Sequence, residues 1–490
     1  MIVSVVSLFL FFLTHLPGLT SLPVFSDEAI YIRWAQVGLH EPNKYLFLSM
    51  LDGKPPLHVW SLMPFLQMFE DPLFAGRVLS LVFGMFSIYV VMKIIRLLDG
   101  SKRAEYIGIA CVTFAPFWYM YHRLALAEAM LGFLYAVGMF FGLHLVKGKT
   151  SIWNWLGFCF SVGAALWTKT TAIFFIFSYA TLPLFIDTTK KNQRVKWFIS
   201  AYTKKSVFSL ITAGIGGCLL FLLLKFSPLF PSLFSRSADY TFTVTDLLRG
   251  EWRYVLFTSI PRSLFWIVFY LTPFLIIPMF FTQKYRWQIV LFSLFYALPL
   301  LAGGRVVYPR YLFPLAIPLT LFAALGFDAM FHAKKWQVRG GYLTFGGFLI
   351  YAFVVIAISW NNPTLFPMVK EDKEQYLTSW SSGYGIAEVR AYLQRTTGNV
   401  YVATEGYFGT LPDGLQIYSD RTPDNLEIHG IGQPVREIPD NLLTVAQTRE
   451  TYLIVNAHRY LVGENPHVKL VQSFPRPFSG PSLLLLRIVP

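Results

Sequence analysis

Apolar runs long enough to cross a lipid bilayer recur along this chain, and they constrain its fold more than any other feature. A helix needs about 20 consecutive apolar residues to span the hydrocarbon core. Only 14% of the 490 residues are charged, whereas soluble domains contain about 25%. The sequence therefore predicts a mainly α, polytopic membrane helix bundle.

Eleven spans are predicted, and the charges of their connecting loops predict their orientation. The spans start near Met1, Phe74, Ala104, Ala127, Ile152, Thr171, Val207, Ser263, Trp287, Tyr311 and Gly341. With the N-terminus in the cytoplasm, all five inner loops are net basic, as the positive-inside rule requires. These loops contain Lys93/Arg96/Lys102/Arg103, Lys147/Lys149, the cations between Asp187 and Ser206, Lys284/Arg286 and Lys334/Lys335/Arg339. The net charge of +14 thus belongs to short membrane loops, and nucleic acid is not a predicted partner.

The predicted domains are a transmembrane domain over 1–360 and an α/β domain over 361–490, outside the membrane. An odd number of spans places this second domain on the extracytoplasmic side. The long outer loop 26–71 is predicted to contain two interfacial helices, over Ile30–Val37 and Leu57–Phe69, and a third is expected around Thr245–Phe257. A cleaved signal peptide is the alternative for the first run, although it has no basic N-terminal region.

Alternating apolar residues predict the secondary structure of the tail. A short helix is expected around Ile386, Val389 and Leu393. Strands are expected at Val400–Ala403, Leu415–Tyr418, Tyr452–Val455, Val468–Val471 and Leu483–Ile488.

Acidic residues at the ends of apolar runs are the first candidates for chemistry. Asp27 and Glu28 follow the first run, and Glu128 opens a later one. One carboxylate could act as a general base at the membrane surface, which contributes roughly 10²–10⁴-fold to a rate. The alternatives are structural: Ser26 and two acids suit the first turn of a helix, and Glu128 could pair with a neighbouring arginine.

Basic residues are predicted on the same outer face. Lys54 precedes two prolines, Lys169 lies in a very short turn, and Arg310 lies in the last outer turn. Arginine binds phosphate through a planar, permanently charged fork, and an interfacial lysine binds lipid phosphate. For Lys54 the alternative is a lysine that only reaches toward the headgroups.

No metal site or cofactor site is predicted. The histidines are scattered and none has zinc-ligand spacing. A divalent ion shared by Asp27 and Glu128 stays open as an alternative, although the residues do not indicate it. The chain contains no phosphate-binding loop and no dinucleotide fingerprint.

The order of these short motifs resembles the GT-C membrane glycosyltransferases, in particular the bacterial branch related to protein O-mannosyltransferases and the lipid A aminoarabinose transferase. The motifs are Ser-Asp-Glu at 26–28, Lys-Pro-Pro-Leu at 54–57, Arg123 with Glu128, Thr168-Lys169, Arg310-Tyr311-Leu312-Phe313-Pro314 and the Gly383-Tyr384-Gly385 turn. The resemblance extends over nearly the whole length.

The resemblance implies transfer of a sugar from a polyprenyl-phosphate-linked donor to an acceptor on the extracytoplasmic face, with inversion at the anomeric carbon. It implies that Asp27 is the base, with Glu28 beside it, and that Glu128 helps the site. The residues expected to face the donor phosphate are Lys54, Lys169, Arg310, Arg123 and Tyr311. The acceptor could be a protein, a lipid or a glycan.

Two other functions remain open from the residues alone. A transporter or flippase for lipid-linked sugars would move its substrate without forming a glycosidic bond. Transporters usually keep ionisable residues near the middle of the membrane, whereas here they lie at the predicted outer ends. A non-enzymatic scaffold that presents the tail domain would tolerate replacement of Asp27, Glu128 and Lys54.

Overall fold

A computed structural model of the chain describes residues 2–186, 205–396, 398–420 and 425–490. Most of the predicted basic loop between Asp187 and Ser206 lies outside these residues.

Contacts within the chain define two compact units. The first unit contains Met1–Pro17, Phe47–Trp60 and Leu79–Ala357, and the second contains Gly18–Leu46, Ser61–Val78 and Ile358–Pro490. The second unit thus includes parts of the predicted outer loop 26–71 together with the tail. As functional domains, 1–360 and 361–490 stay a prediction.

Seven helices of the described residues are long and apolar enough to cross a membrane. They cover Pro72–Leu97, Ala127–Val146, Ser206–Phe226, Val244–Met279, Arg286–Gly303, Pro309–Phe331 and Lys335–Asn361. Each contains or closely matches one of the predicted span starts. An α-helix satisfies its own backbone hydrogen bonds, which hydrocarbon requires. The chain is a multi-pass membrane protein with a mainly helical fold, as predicted.

The other four predicted spans correspond to shorter helices. These are α1 (Ile2–His15), Lys102–Phe114, Ile152–Thr168 and a segment over Thr170–Tyr179. Proline accounts for two of the early ends, because the residue before a proline is pushed out of the helical region. Pro17 follows the end of α1, and Ala115 is extended ahead of Pro116, where a further helix runs to His122.

The predicted outer-loop segments are helical. Ser26–His40 forms α2, and Leu57–Met68 forms α3, which the next helix, α4 (Pro72–Leu97), soon follows. The third segment is also helical and continues into the long helix that ends at Met279. Their predicted position in the interface plane stays a prediction.

Within the first unit, aromatic rings fill the space between helices. Tyr135 stacks on Phe292 with ring centroids 5.3 Å apart, and Phe117 stacks on Tyr270 at the same separation. Aromatic side chains bury large areas and lock neighbouring helices through offset and edge contacts. This packing supports the helix ends that carry the polar residues described below.

The second unit is built on a five-stranded sheet. Its strands are β1 (Val400–Thr404), β2 (Leu426–Gly430), β3 (Thr451–Asn456), β4 (Val468–Phe474) and β5 (Leu483–Ile488). The order is β2-β1-β3-β5-β4, with β2, β1 and β3 parallel and β5 antiparallel to both β3 and β4. The predicted small α/β domain is confirmed.

Two tail predictions need comment. The predicted strand at Leu415–Tyr418 is wrong, because these residues lie in a helix over Asp413–Ser419. Gln36 in α2 donates to the carbonyl of Ile417 at 2.7 Å, so this segment packs on α2 instead of joining the sheet. The edge strand beside β1 is β2, a strand that was not predicted from the sequence. The helix expected at Ile386–Leu393 is confirmed.

Candidate functional site

Asp27 and Glu28 lie in the first turn of α2, in the second unit. Phe25 precedes the helix in an extended conformation, and its N–H donates to Glu28 Oε2 at 2.9 Å. Carboxylates in a first turn are favoured by the unpaired N–H groups and the helix dipole. Glu28 is fully buried, whereas Asp27 is only half-buried. Two adjacent acids therefore have different environments.

Glu28 forms a buried ion pair with Arg77, near the start of α4. Arg77 Nε and Nη2 donate to the two carboxylate oxygens at 2.9 and 2.8 Å, and neither side chain is exposed to solvent. The remaining guanidinium N–H groups donate to the carbonyls of Leu19, Leu22 and Pro23. The pair joins the segment before α2, α2 itself and α4. Arg77 was not predicted, although an arginine in an apolar run signals a buried acidic partner.

The N-terminus of α2 is also held by the tail. Ser26 N–H donates to the carbonyl of Ser381 at 3.0 Å, and Phe25 bridges to Ser382 as in an antiparallel strand. At Gly383 a Cβ atom would lie 2.2 Å from the carbonyl oxygen of Val24, so only glycine fits without movement. Asp27 thus follows directly on a segment fixed by the second unit's own backbone.

Four predicted site residues come together in the first unit. Lys169 Nζ lies 2.5 Å from Glu128 Oε1 and 4.4 Å from the centre of the Tyr311 ring. The Arg310 guanidinium lies 5.5 Å from the same ring. Glu128 is 2% and Arg310 7% exposed. The result is a cluster, called here the cation cluster, of two cations, one carboxylate and one aromatic ring.

The local fold explains this arrangement. Glu128 is in the first turn of the helix Ala127–Val146, and Lys169 directly follows the helix Ile152–Thr168. Arg310 and Tyr311 lie in a 3₁₀ turn, Pro309–Leu315, that leads into another long helix. The Tyr311 carbonyl accepts a hydrogen bond from Tyr296 at 2.6 Å. All four residues therefore sit at helix ends, where short turns return the chain toward the bundle.

His58 is a buried neighbour of this cluster that the sequence reasoning did not select. Burial lowers the pKa of His58 to about 4, and the negative charge of Glu128 only partly opposes that shift. The imidazole is therefore neutral at physiological pH. In the sequence, its position two residues after the Lys-Pro-Pro motif was the only feature that pointed to His58 as a site residue.

Lys54 lies in a second charged group of the first unit. Its Nζ is 3.2 Å from Asp52 Oδ2, and Asp52 also pairs with Arg236. Arg236 was not predicted, because it comes from a distant part of the chain. Lys54 is thus held by a local carboxylate and accompanied by a second cation.

Arg123 contacts the end of α1. It donates to the carbonyls of His15 and Pro17, the latter at 2.9 Å, and its guanidinium stacks 4.9 Å from the Tyr119 ring. Backbone carbonyls at a helix C-terminus attract cations. These contacts give Arg123 a structural function, and its role toward the donor phosphate stays a prediction.

No group of three or more potential metal ligands occurs among histidine, cysteine, aspartate and glutamate residues in the described parts of the chain.

Part of the chain matches a known protein family. Residues 53–213 match the family model described as dolichyl-phosphate-mannose-protein mannosyltransferase. This segment contains Lys54, Arg123, Glu128 and Lys169. A search of curated proteins by sequence found no significant match.

Three solved structures share the fold. ArnT from Cupriavidus metallidurans bound to undecaprenyl phosphate has a TM-score of 0.58 at 13% identity, over 99% of this chain and 97% of that one. Its apo form gives the same score and coverage at 15% identity. The oligosaccharyltransferase of Archaeoglobus fulgidus, in complex with Zn and sulfate, gives 0.53 at 10% identity, over 93% of this chain and 68% of that one. The predicted resemblance and the GT-C type of membrane fold are confirmed.

Proposed function

We propose that this chain is a membrane glycosyltransferase that takes its sugar from a polyprenyl-phosphate-linked donor. The match of residues 53–213 to a mannosyltransferase family supports the reaction class. The likeness of fold to an ArnT structure bound to undecaprenyl phosphate supports a lipid-phosphate carrier. The sugar and the acceptor are not assigned, because a fold does not determine them.

The cation cluster is the observation that carries this proposal. The Lys169 Nζ atom and the Arg310 guanidinium lie 4.4 and 5.5 Å from the centre of the Tyr311 ring, at the ends of apolar helices. Lipid phosphate groups lie at this level of a bilayer, and fixed cations there attract them. Glu128 holds the Lys169 ammonium in place. A phosphate dianion that leaves the sugar would be stabilised by both cations.

Lys54 and Arg123 have separate functions in this proposal. Lys54, together with Arg236, provides a second positive group for the donor phosphate or its approach. Arg123 acts as a positioning residue, because it fixes the end of α1 through backbone carbonyls.

Asp27 is the proposed general base. Both carboxylate oxygens of Glu28 accept hydrogen bonds from Arg77, and one also accepts from the Phe25 N–H group. Asp27 is half-buried and can meet an acceptor from the aqueous side. Asp27 removes the proton as the acceptor oxygen or nitrogen attacks the anomeric carbon. The bond from that carbon to the phosphate oxygen breaks, and the phosphate keeps the electron pair. A single displacement inverts the anomeric configuration.

The proposed orientation has a cytoplasmic N-terminus and an extracytoplasmic second unit. The net-basic inner loops predicted from the sequence support it. Reporter fusions test it directly: we expect fusions at the 361–490 region to be active only as extracytoplasmic reporters.

The central experiment compares Asp27→Asn with Glu41→Gln. Glu41 follows α2, and its side chain is 62% exposed, so the control removes one charge near the same helix without touching its N-terminus. Cells that lack the chain are complemented with each variant, and envelope lipids, glycans and proteins are compared by mass spectrometry. We expect Asp27→Asn to lower transfer by at least about 100-fold, the usual effect of losing a general base. Glu41→Gln should restore it fully.

Two results would contradict the proposal. Undiminished transfer by Asp27→Asn would remove this residue from the base role. Movement of a lipid-linked sugar across the membrane by the purified chain, with no new glycosidic bond in any envelope component, would favour the flippase alternative instead.

A further inference from the structure

The carboxyl ends of β1 and β3 lie side by side in the second unit. These strands are parallel neighbours; the chain leaves β1 toward β2, on the side away from β3, and leaves β3 toward β4, on the side away from β1. In open α/β sheets, ligands bind outside the carboxyl ends of strands where the connections diverge in this way. This edge of the sheet, called here the crevice, is therefore where the fold favours ligand-binding residues.

Polar side chains converge in this crevice. Glu405 directly follows β1, and its Oε2 accepts the N–H of Asn456, the last residue of β3, at 2.9 Å. Asn456 Nδ2 donates to the other carboxylate oxygen. Arg459 Nη1 lies 3.4 Å from that same oxygen. Asn456 is 1% exposed, and its Oδ1 has no hydrogen-bond partner within the described residues. A buried acceptor without a donor is costly, so this network gains from a further donor, whereas Arg459, whose side chain is 18% exposed, is the member that a ligand can reach.

The loop after Glu405 exposes two aromatic rings. Gly406 N–H donates to the carbonyl of Gly432 at 2.9 Å, and Gly409 N–H donates to Asp413 Oδ2 at 2.6 Å. Between these two anchors, Tyr407 is 73% and Phe408 52% exposed. The loop is thus held at both ends while its large apolar side chains face outward.

This loop lies beside the proposed base. A Cβ atom on Gly409 would be 3.1 Å from Ser26 Oγ and 3.9 Å from the Trp380 ring. Ser26 precedes Asp27, so the Cα atoms of Gly409 and Asp27 are at most about 11 Å apart by covalent geometry. Arg459 stacks on Trp380, 4.2 Å from the ring centre. Asp27, the aromatic loop and Arg459 are therefore neighbours within the second unit.

We propose that the loop 406–409 is the acceptor platform of this enzyme and that the acceptor is a carbohydrate. The inference rests on the proposed function, since it takes Asp27 as the base. The apolar C–H face of a sugar ring packs on Tyr407 and Phe408, and its hydroxyls reach Arg459, the partly exposed cation of the crevice.

The neighbouring charges favour a carbohydrate over the membrane as the occupant. Charged groups are costly to bring toward hydrocarbon. Tyr407 and Phe408 directly follow Glu405, and Gly409 of the same loop approaches Trp380, on which Arg459 stacks. Sites with a few polar groups beside aromatic side chains are typical of small polar ligands.

The test uses the full chain in lipid nanodiscs and two probe sets, an array of oligosaccharides and an array of serine- and threonine-rich peptides. Tyr407→Ala/Phe408→Ala is the test variant. Tyr407→Trp/Phe408→Trp keeps the rings, and Leu470→Ala is the matched control, because Leu470 is 62% exposed on the edge strand β4. We expect the alanine variant to bind oligosaccharides at least tenfold more weakly. The tryptophan variant and the control should stay within about twofold of the parent chain.

The outcomes separate this inference from the proposed function. With the best-bound oligosaccharide as acceptor, we expect the alanine variant to raise the acceptor KM and leave kcat and the donor KM unchanged. Asp27→Asn should retain oligosaccharide binding and lose transfer. Unchanged oligosaccharide binding by the alanine variant, no oligosaccharide binding by the parent chain, or a selective loss of peptide binding would each overturn the carbohydrate platform. Full transfer by Asp27→Asn would instead refute the proposed base.

Discussion

Replacement of Arg77 by methionine should destabilise the chain by about 3–5 kcal/mol, the usual cost of removing one partner of a buried ion pair. All five guanidinium N–H groups are used: two bind Glu28 and three bind backbone carbonyls. Methionine occupies a similar volume but offers no donor. The substitution would therefore leave the Glu28 carboxylate buried without its cation, with the Phe25 N–H still donating to it, and three buried or part-buried carbonyls without the Arg77 donors.

A second arginine–glutamate pair provides the control. Arg487 Nη2 donates to Glu450 Oε1 at 2.9 Å, and the two side chains are 49% and 36% exposed. Water replaces a lost partner there, so Arg487→Met should cost at most about 1 kcal/mol. Thermal unfolding of the purified variants in one detergent, followed by near-UV circular dichroism, compares the two. Adding Glu28→Gln to Arg77→Met should recover part of the loss, because it removes the unpaired charge.

Equal melting temperatures for Arg77→Met and Arg487→Met would refute this reasoning. It would mean that water reaches Glu28, or that the segment before α2 rearranges at little cost. A double variant less stable than Arg77→Met alone would show that the buried charge is not the source of the loss.

Three further outcomes are expected. Gly383→Ala should destabilise the chain by about 1–3 kcal/mol and reduce transfer, because its Cβ would overlap the Val24 carbonyl oxygen at 2.2 Å. Gly346→Ala is the control, because its Cβ would meet nothing within 4 Å, and it should be neutral in the same melting and transfer assays. Lys169→Met combined with Glu128→Gln should weaken binding of undecaprenyl phosphate about tenfold by titration, through loss of one phosphate contact; unchanged affinity would exclude Lys169 from the donor site. The folded pKa of His58, about 4, lies below the unfolded value of about 6.5, so the unfolded chain binds the proton first and stability should fall by at most about 3 kcal/mol as pH drops through that interval. His58→Gln should show a smaller loss of melting temperature between pH 7 and 5, and an identical loss would count against a buried neutral imidazole.

The membrane architecture was readable from the sequence because apolar length is a one-dimensional property. The long helices fall where the runs predicted them. Helix ends set by proline, as at Pro17 and Pro116, shortened two predicted spans, since hydropathy does not register backbone restrictions. The segment 415–418 was mistaken for a strand because four residues cannot distinguish the two periods.

The site was predictable as a set of residue types but not as a set of pairs. Glu128, Lys169 and Arg310 were selected for their charge at predicted helix ends, and their contacts depend on helix packing. Arg77 and Arg236 were missed because their partners lie far away in the chain. The residue pattern did not separate Asp27 from Glu28, and only the family resemblance named Asp27 as the base. In the structure, Glu28 is buried and paired with Arg77, whereas Asp27 is half-buried.

The backbone strap between Ser26 and Ser381 has a consequence for biogenesis. The strand-like contacts that fix the start of α2 come from the last quarter of the chain. During synthesis, α2 emerges early, whereas its partner segment is translated more than 350 residues later. A nascent polypeptide therefore lacks the contacts that fix the start of α2 until residues 381–383 have been made.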